Sequence, residues 1–248
     1  MNQRRTEWLQ KADMAYNERQ FKEPYRSTVA FCNWLENLGY LDKNSAFHIL
    51  DLAAGQGANI YYMSRRYPEC TFTGIDINEL LVEKGNQFFA DQGINNCHLE
   101  VGDLYDLDTI HKGKYDAVIS FQTLSWLPEY RKPLAAKFYL EPKWIALSSL
   151  FFEGLVSSTI EVQLYSDVST IYKESYYNVY SLPLIEEFFA DHGYEDFKYI
   201  PFEIDIDLPE PEDKSMGTHT KKLVSGERIQ LSGPLLMPWY FVSARKKV

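Results

Sequence analysis

Between residues 47 and 151 the chain alternates short apolar runs with segments of helical periodicity, and this alternation restricts the fold more than any other feature. The runs are FHILDL (47–52), TFTGIDI (71–77), CHLEVGD (97–103), YDAVISF (115–121) and KWIALSSLF (143–151). Helix-like segments fall between them at 57–66, 78–91 and 129–139. In the second of these, Leu80, Leu81, Phe88 and Phe89 recur on one face. Strands alternating with helices at this spacing predict a parallel sheet with helices on both sides. YDAVISF is apolar on both faces and is expected at the centre of that sheet.

The flanking segments complete the outline. Residues 5–40 read mostly as helix, broken at KEPYR because Pro24 cannot continue one. In the second half of this region Val29, Cys32, Trp34 or Leu35, Leu38 and Leu41 recur at helical spacing, with Ser27 as the expected N-cap and Gly39 as an end signal. Beyond 151, STIEVQLYS (158–166) and YYNVYS (176–181) read as extra strands around a polar turn. SLPLIEEFFADHGY reads as a helix with Ser181 near its N-cap and Gly193 past its end. FKYIPFEIDIDL (197–208) predicts a sixth main strand. Phe202, Ile204, Ile206 and Leu208 fall on one face, and Glu203, Asp205 and Asp207 on the other. Adjacent acids on that face would lie about 6.5–7 Å apart, too far to share one cation, so a solvated face and no metal site are expected. PWYFVSARK (238–246) is the last strand. One domain is expected over 1–248: a helical cap (1–45), a glycine-containing half (46–150), and insertions at 151–181 and 207–233.

Composition narrows the partners. The 248 residues carry a formal charge of −10 with no concentrated basic patch, which disfavours a nucleic-acid substrate. Cys32, Cys70 and Cys97 have no paired spacing, the pattern of a reducing compartment. The opening MNQRRTEWLQ lacks the apolar core of a secretory leader, and no stretch approaches the ~20 apolar residues of a membrane span. A cytoplasmic protein acting on a small molecule is expected. The sequence specifies no oligomeric state.

The ligand question turns on ILDLAAGQGAN (49–59). Ligands of open parallel sheets bind beyond the carboxyl ends of the strands, and acids stand at three such ends: Asp51, Asp76 and Asp103. Gly55 and Gly57 allow close backbone approach just ahead of a helix. Asp76 follows Gly57 by 19 residues, near the spacing of a dinucleotide site, but Ile60 stands where the fingerprint needs its third glycine. A Walker loop is excluded because no Gly-Lys-Ser/Thr follows. Asp51 beside the turn would also repel a pyrophosphate. The expected ligand is adenosine-like, free of phosphate and positively charged near Asp51.

These stretches resemble the motifs of class I S-adenosylmethionine (SAM)-dependent methyltransferases. ILDLAAGQGAN resembles their motif I, FTGIDIN their motif II, VGDLYDL their adenine-side motif and YDAVISFQTLSWL their post-strand-four motif, in the family's order across residues 45–150. The resemblance implies a Rossmann-like, doubly wound seven-stranded α/β sheet whose last strand is antiparallel, with the N-terminal helical cap and C-terminal insertions added. It implies SAM as cofactor. Asp51 would sit near the methionine moiety and Ala53, Gly55 and Gly57 would form the close-approach turn. Asp76, with Ile77 after it, would take the ribose hydroxyls, and Asp103 the adenine amino group with Leu104 beside it. Phe121 and Gln122 would line the pocket near the methyl group, and Arg26, after Tyr25, could close over the cofactor carboxylate. Ala53 replaces the usual first glycine, which is tolerable if its φ stays negative.

The segment SFQT lacks the Asn/Asp-Pro-Pro-aromatic signature of enzymes that methylate base amines. A small-molecule hydroxyl acceptor is expected, sugar-derived or another metabolite. The C-terminal half resembles methyltransferases associated with bacterial surface-polysaccharide synthesis. A hydroxyl acceptor needs a general base, for which the candidates are His219, Glu153 at the end of strand five, and Tyr177. Trp126 can equally be a core aromatic. The alternatives are an NAD-dependent oxidoreductase and a non-catalytic SAM-binding module.

Overall fold

The computed structural model describes residues 19–107, 109–212 and 216–247; most of the expected first helix lies outside them, and residues 19–22 are helical. From Arg26 the elements run α1 (Arg26–Asn37), β1 (His48–Leu52), α2 (Ala58–Arg66), β2 (Thr71–Asp76), α3 (Glu79–Asp91), β3 (Cys97–Val101), β4 (Ala117–Phe121), α4 (Arg131–Tyr139) and β5 (Trp144–Ser149). They continue with β6 (Phe151–Phe152), β7 (Glu161–Asp167), β8 (Thr170–Tyr176), β9 (Tyr180–Ser181), α5 (Leu182–Asp191), β10 (Tyr194–Phe202), β11 (Thr218–Lys222), β12 (Arg228–Ser232) and β13 (Trp239–Lys246).

Seven strands form one sheet in the order β10-β13-β5-β4-β1-β2-β3. β1 to β5 are parallel to one another, and β13 runs antiparallel between β5 and β10. The fold is the expected Rossmann-like one. Strand alternation divides the core between two faces. Leu50, Leu52, Val118, Ile145 and Leu147 pack with Leu134 and Phe138 of α4 and Ile185 and Phe189 of α5. On the other face Ile49, Phe72, Leu99 and Ile119 pack with Phe31 and Leu35 of α1, Ile60 and Met63 of α2, and Phe89 of α3. Each such side chain contributes about 1.5–3 kcal/mol by leaving water.

The insertions differ from the sequence expectation in register. β7 does pair, but with Thr170–Tyr176 rather than with 176–181. The apolar pattern of 176–181 serves burial instead: Tyr177, Val179 and Tyr180 are buried, and the segment pairs through Tyr176 at the end of β8, a bridge from Val179 to Ser158 and short β9 on β6. β10 likewise stops at Phe202 and does not reach residue 208. Its partner β13 begins at Trp239, opposite Phe202, so the ladder has nothing further to pair with. Residues 203–208 still alternate between exposed and half-buried. They are held from the β11–β12 hairpin, where Ile204 N–H donates to Gln230 Oε1 at 3.0 Å and Leu208 N–H to Thr220 Oγ1 at 2.8 Å. Helix α1 starts one residue ahead of Ser27, with Tyr25 at the N-cap and no side-chain cap bond. Ser27 is buried within its first turn.

Candidate active site

The carboxyl ends of β1, β2 and β4 meet at one edge of the sheet, and the chain leaves two of them in left-handed backbone. Ala53 has φ 63° and Gln122 φ 51°, alongside Gly55 at 55° and Gly57 at 82°. The expectation of a negative φ at Ala53 is therefore wrong. Its N–H and that of Ala54 both donate to Ile75 O, at 2.8 and 3.1 Å, which pulls the chain off β1 onto the end of β2 and imposes the turn. A side chain in this region costs roughly 1–2 kcal/mol, and such strain clusters where a site over-determines the backbone. Gly57 caps α2; a Cβ there would press on Phe89 at 2.8 Å and Leu99 at 3.2 Å.

Asp51, with 1 % of its surface exposed, has no hydrogen-bond partner for either carboxylate oxygen among the described residues. Burial raises its pKa well above the carboxylate range, the nearby Asp76 adds to this, and Lys137 acts in the opposite sense. Asp76 takes backbone donors instead. Gly55 N–H reaches Oδ2 at 2.7 Å and Asn78 N–H reaches Oδ1 at 2.9 Å. These bonds favour the ionised form, yet burial outweighs them and the pKa is still raised. Asn78 caps α3 through Leu81 N–H at 3.2 Å, so the acid and its supports lie in one short stretch with half-buried Ile77 between them. Asp103 Oδ1 accepts Tyr105 N–H at 2.9 Å, and Leu104 packs against the core.

Phe121 sits with its ring centroid 4.7 Å from that of Phe31 on α1, and Gln122 N–H donates to Ser148 O at 2.9 Å. Arg26 is exposed and lies 3.9 Å from exposed Asp205. The three candidate bases occupy different surroundings, and among the described residues no hydrogen bond joins them. Glu153 is exposed and accepts Tyr240 O–H at 3.1 Å. His219 is buried on β11, and neither ring nitrogen has a hydrogen-bond partner among the described residues. Tyr177 is fully buried, its hydroxyl has no partner among the described residues, and burial pushes its pKa up. Of the acidic run, Asp207 pairs with Arg228 at 2.8 Å.

Sequence reading missed Lys137. Burial lowers its pKa to about 8, against the raising effect of Asp51. On α4 it shares the inward face with Pro133, Leu134 and Phe138. A lysine in that apolar period is the sequence signal, and it does not by itself distinguish a buried amine from one that reaches solvent along its stem.

An unpartnered buried carboxylate costs about 1–3 kcal/mol or more, which a cationic ligand group would offset. SAM carries an ammonium and a sulfonium for Asp51, and a ribose diol for Asp76, so these residues fit it. A phosphate ligand would meet Asp51 as a like charge.

A family model described as "Methyltransferase domain" matches residues 49–139. Trans-aconitate 2-methyltransferase of Deinococcus radiodurans is 29% identical over 87 residues, which cover 35% of this chain and 31% of that protein. The matches thus span under a third of the length of the curated relatives. Among solved structures, the YcgJ protein of Bacillus subtilis aligns over 89% of this chain and 99% of its own at 12% identity, with a TM-score of 0.57. The [4+2]-cyclase SpnF aligns over 90% of this chain and 81% of its own at 12% identity, with a TM-score of 0.58. At this identity both show the fold alone. Because one of them is a cyclase, the fold does not by itself name a reaction.

Proposed function

We propose that this chain is a SAM-dependent methyltransferase acting on a hydroxyl of a small-molecule acceptor. The observation that carries the reading is Asp51, a buried carboxyl with both oxygens unpartnered among the described residues, at the entrance to a turn whose strained backbone brings N–H groups and Asp76 to the same edge. The match of residues 49–139 to a methyltransferase-domain model supports it. An NAD-dependent reading is disfavoured by the same acid, which would face a pyrophosphate.

In this reading Asp51, the turn Ala53–Gly55–Gly57, and Asp76 with Ile77 hold the methionine and ribose ends. Asp103 and Leu104 flank the adenine, Phe121 and Gln122 border the methyl group, and Arg26 reaches the carboxylate. SAM supplies a methyl group bound to a positively charged sulfur. The chain's own task is alignment of the acceptor and removal of its proton. We assign proton acceptance to His219, a buried imidazole whose ring nitrogens have no hydrogen-bond partner among the described residues. Glu153 and Tyr177 fit that role less well, since one faces solvent and the other has its ionised form opposed by burial. Sugar-derived hydroxyls belong in the acceptor screen. The test is release of S-adenosylhomocysteine across that screen; Asp51→Ala should abolish it, and an Asp51→Ala variant as active as the parent would contradict the assignment.

A further inference from the structure

The fold gathers cations that the sequence keeps apart. β13 pairs with β5 so that Arg245 stands opposite Trp144. Beyond that pair, Lys246 N–H donates to Lys143 O and Lys247 N–H to Gly193 O, both at 2.8 Å. Lys143, Arg245, Lys246 and Lys247 thereby line one cleft of about 440 Å³, beside Phe47 and Tyr40. None of the residues lining it is acidic, although the chain as a whole carries a charge of −10. The cleft lies at the amino ends of β1 and β5, the opposite end of the sheet from Asp51. The stretch of parallel strand from Phe47 to Asp51, roughly 13 Å long, separates it from the site described above.

Two of the cations are held in place. The Arg245 guanidinium carbon stacks 4.2 Å from the Tyr40 ring centroid, and its Nη2 donates to Leu38 O at 3.0 Å and Gly39 O at 3.3 Å. Lys143 Nζ pairs with Asp116 at 2.7 Å and lies 5.9 Å from the Phe47 centroid. The carboxylates near the other cations lie closer to partners outside the cleft. Asp196 is 2.7 Å from Lys198 but 3.9 Å from Arg245. Glu141 is 3.2 Å from Lys112 but 4.0 Å from Lys246. Lys247 has no ion pair among the described residues. Arg245, Lys246 and Lys247 are thus under-neutralised, and gathering like charges is unfavourable unless an anion joins them. One carboxylate would leave most of this charge unanswered. A planar guanidinium with three ammonium groups suits the oxygens of linked phosphates, and the volume lies in the range of small-molecule sites.

We propose that this cleft is a second ligand site, which takes a small molecule through a diphosphate or triphosphate group. That chemistry has two sources, inorganic polyphosphate and a nucleoside diphosphate or triphosphate. The site is independent of the methyl-transfer reading, because no residue of the SAM edge lines it.

The experiment is isothermal titration of the full chain at neutral pH, in low salt and without divalent cations. The probes are inorganic pyrophosphate, UDP and, as a carboxylate polyanion, citrate. Pyrophosphate should bind saturably at one site per chain, at least tenfold tighter than citrate. Its affinity should fall at least fivefold in the double variant Lys246→Gln/Lys247→Gln. Both side chains are exposed, so the variant should keep the parent's Tm and SAM affinity. UDP binding tighter than pyrophosphate identifies a nucleotide as the source; equal or weaker UDP binding identifies the polyphosphate group alone, and either supports the site. Absence of saturable pyrophosphate binding overturns the proposal, as does equal affinity for citrate or an unchanged affinity in the double variant. Displacement of pyrophosphate by S-adenosylhomocysteine overturns it as well, since the ligand would then occupy the SAM edge. A parent chain that binds pyrophosphate but not SAM would contradict the methyltransferase reading and leave the polyphosphate site standing.

Discussion

Asp76 Oδ2 accepts the Gly55 N–H at 2.7 Å while its Oδ1 accepts the Asn78 N–H at 2.9 Å. One carboxylate at the end of β2 thereby fastens the turn after β1 to the start of α3. Asp76→Ala strands both N–H groups and should cost about 1–3 kcal/mol in urea unfolding. SAM affinity should fall about tenfold or more, the equivalent of roughly 1.4 kcal/mol. Asp76→Asn keeps one acceptor oxygen and should lie between parent and alanine on both measures.

Ala53 at φ 63° makes the opposite prediction. Ala53→Gly releases the left-handed strain but loosens the unfolded chain, so the two effects partly cancel. The net expectation is a gain of up to about 1 kcal/mol, seen as a rise in the urea midpoint. A fall in that midpoint would contradict the strain argument.

Gly85 lies inside α3, where alanine would ordinarily stabilise a helix by about 0.8–1 kcal/mol. Here a Cβ would run into the carbonyl oxygen of Gln56, in the turn itself, and into Leu99. Gly85→Ala should therefore destabilise the protein, with the loss read by thermal unfolding. It should also weaken SAM binding, because the Gln56 peptide must move.

Lys137 gives a pH signature. Its pKa is about 8 in the folded protein and 10.5 ordinarily, so the folded state releases this proton first as pH rises. Between those values the unfolded chain binds more protons, and this group's contribution to stability increases with pH by at most roughly 3 kcal/mol. Lys137→Met should remove that increase. Urea unfolding of parent and variant at pH 7 and pH 10 isolates it; parallel pH dependences would place the charge elsewhere.

The five parallel strands and the acids at their ends were legible because period and spacing encode them directly. Burial was legible further than pairing. At 176–181 the apolar pattern marked buried residues correctly, but Tyr177 faces a cluster of side chains while β8 takes the ladder. At 203–208 alternation persists without a strand, because what ends β10 is the starting residue of β13, nearly forty positions away in sequence (~37, by the pairing that sets register). The sign of φ at Ala53 was hidden for a similar reason. It follows from two hydrogen bonds to Ile75 O, which exist only once β1 and β2 are side by side. The glycine turn and Asp76 could be placed from sequence; Lys137 could not, since a lysine in an apolar helical period usually reaches solvent along its stem.

The central claim is tested most directly by isothermal titration of the purified chain with SAM, with S-adenosylhomocysteine and NADH titrated separately. One SAM site per chain is expected, with a comparable site for S-adenosylhomocysteine and no heat from NADH. SAM binding should be lost in Asp51→Ala. Binding of NADH without SAM, or SAM binding that survives Asp51→Ala unchanged, would contradict it.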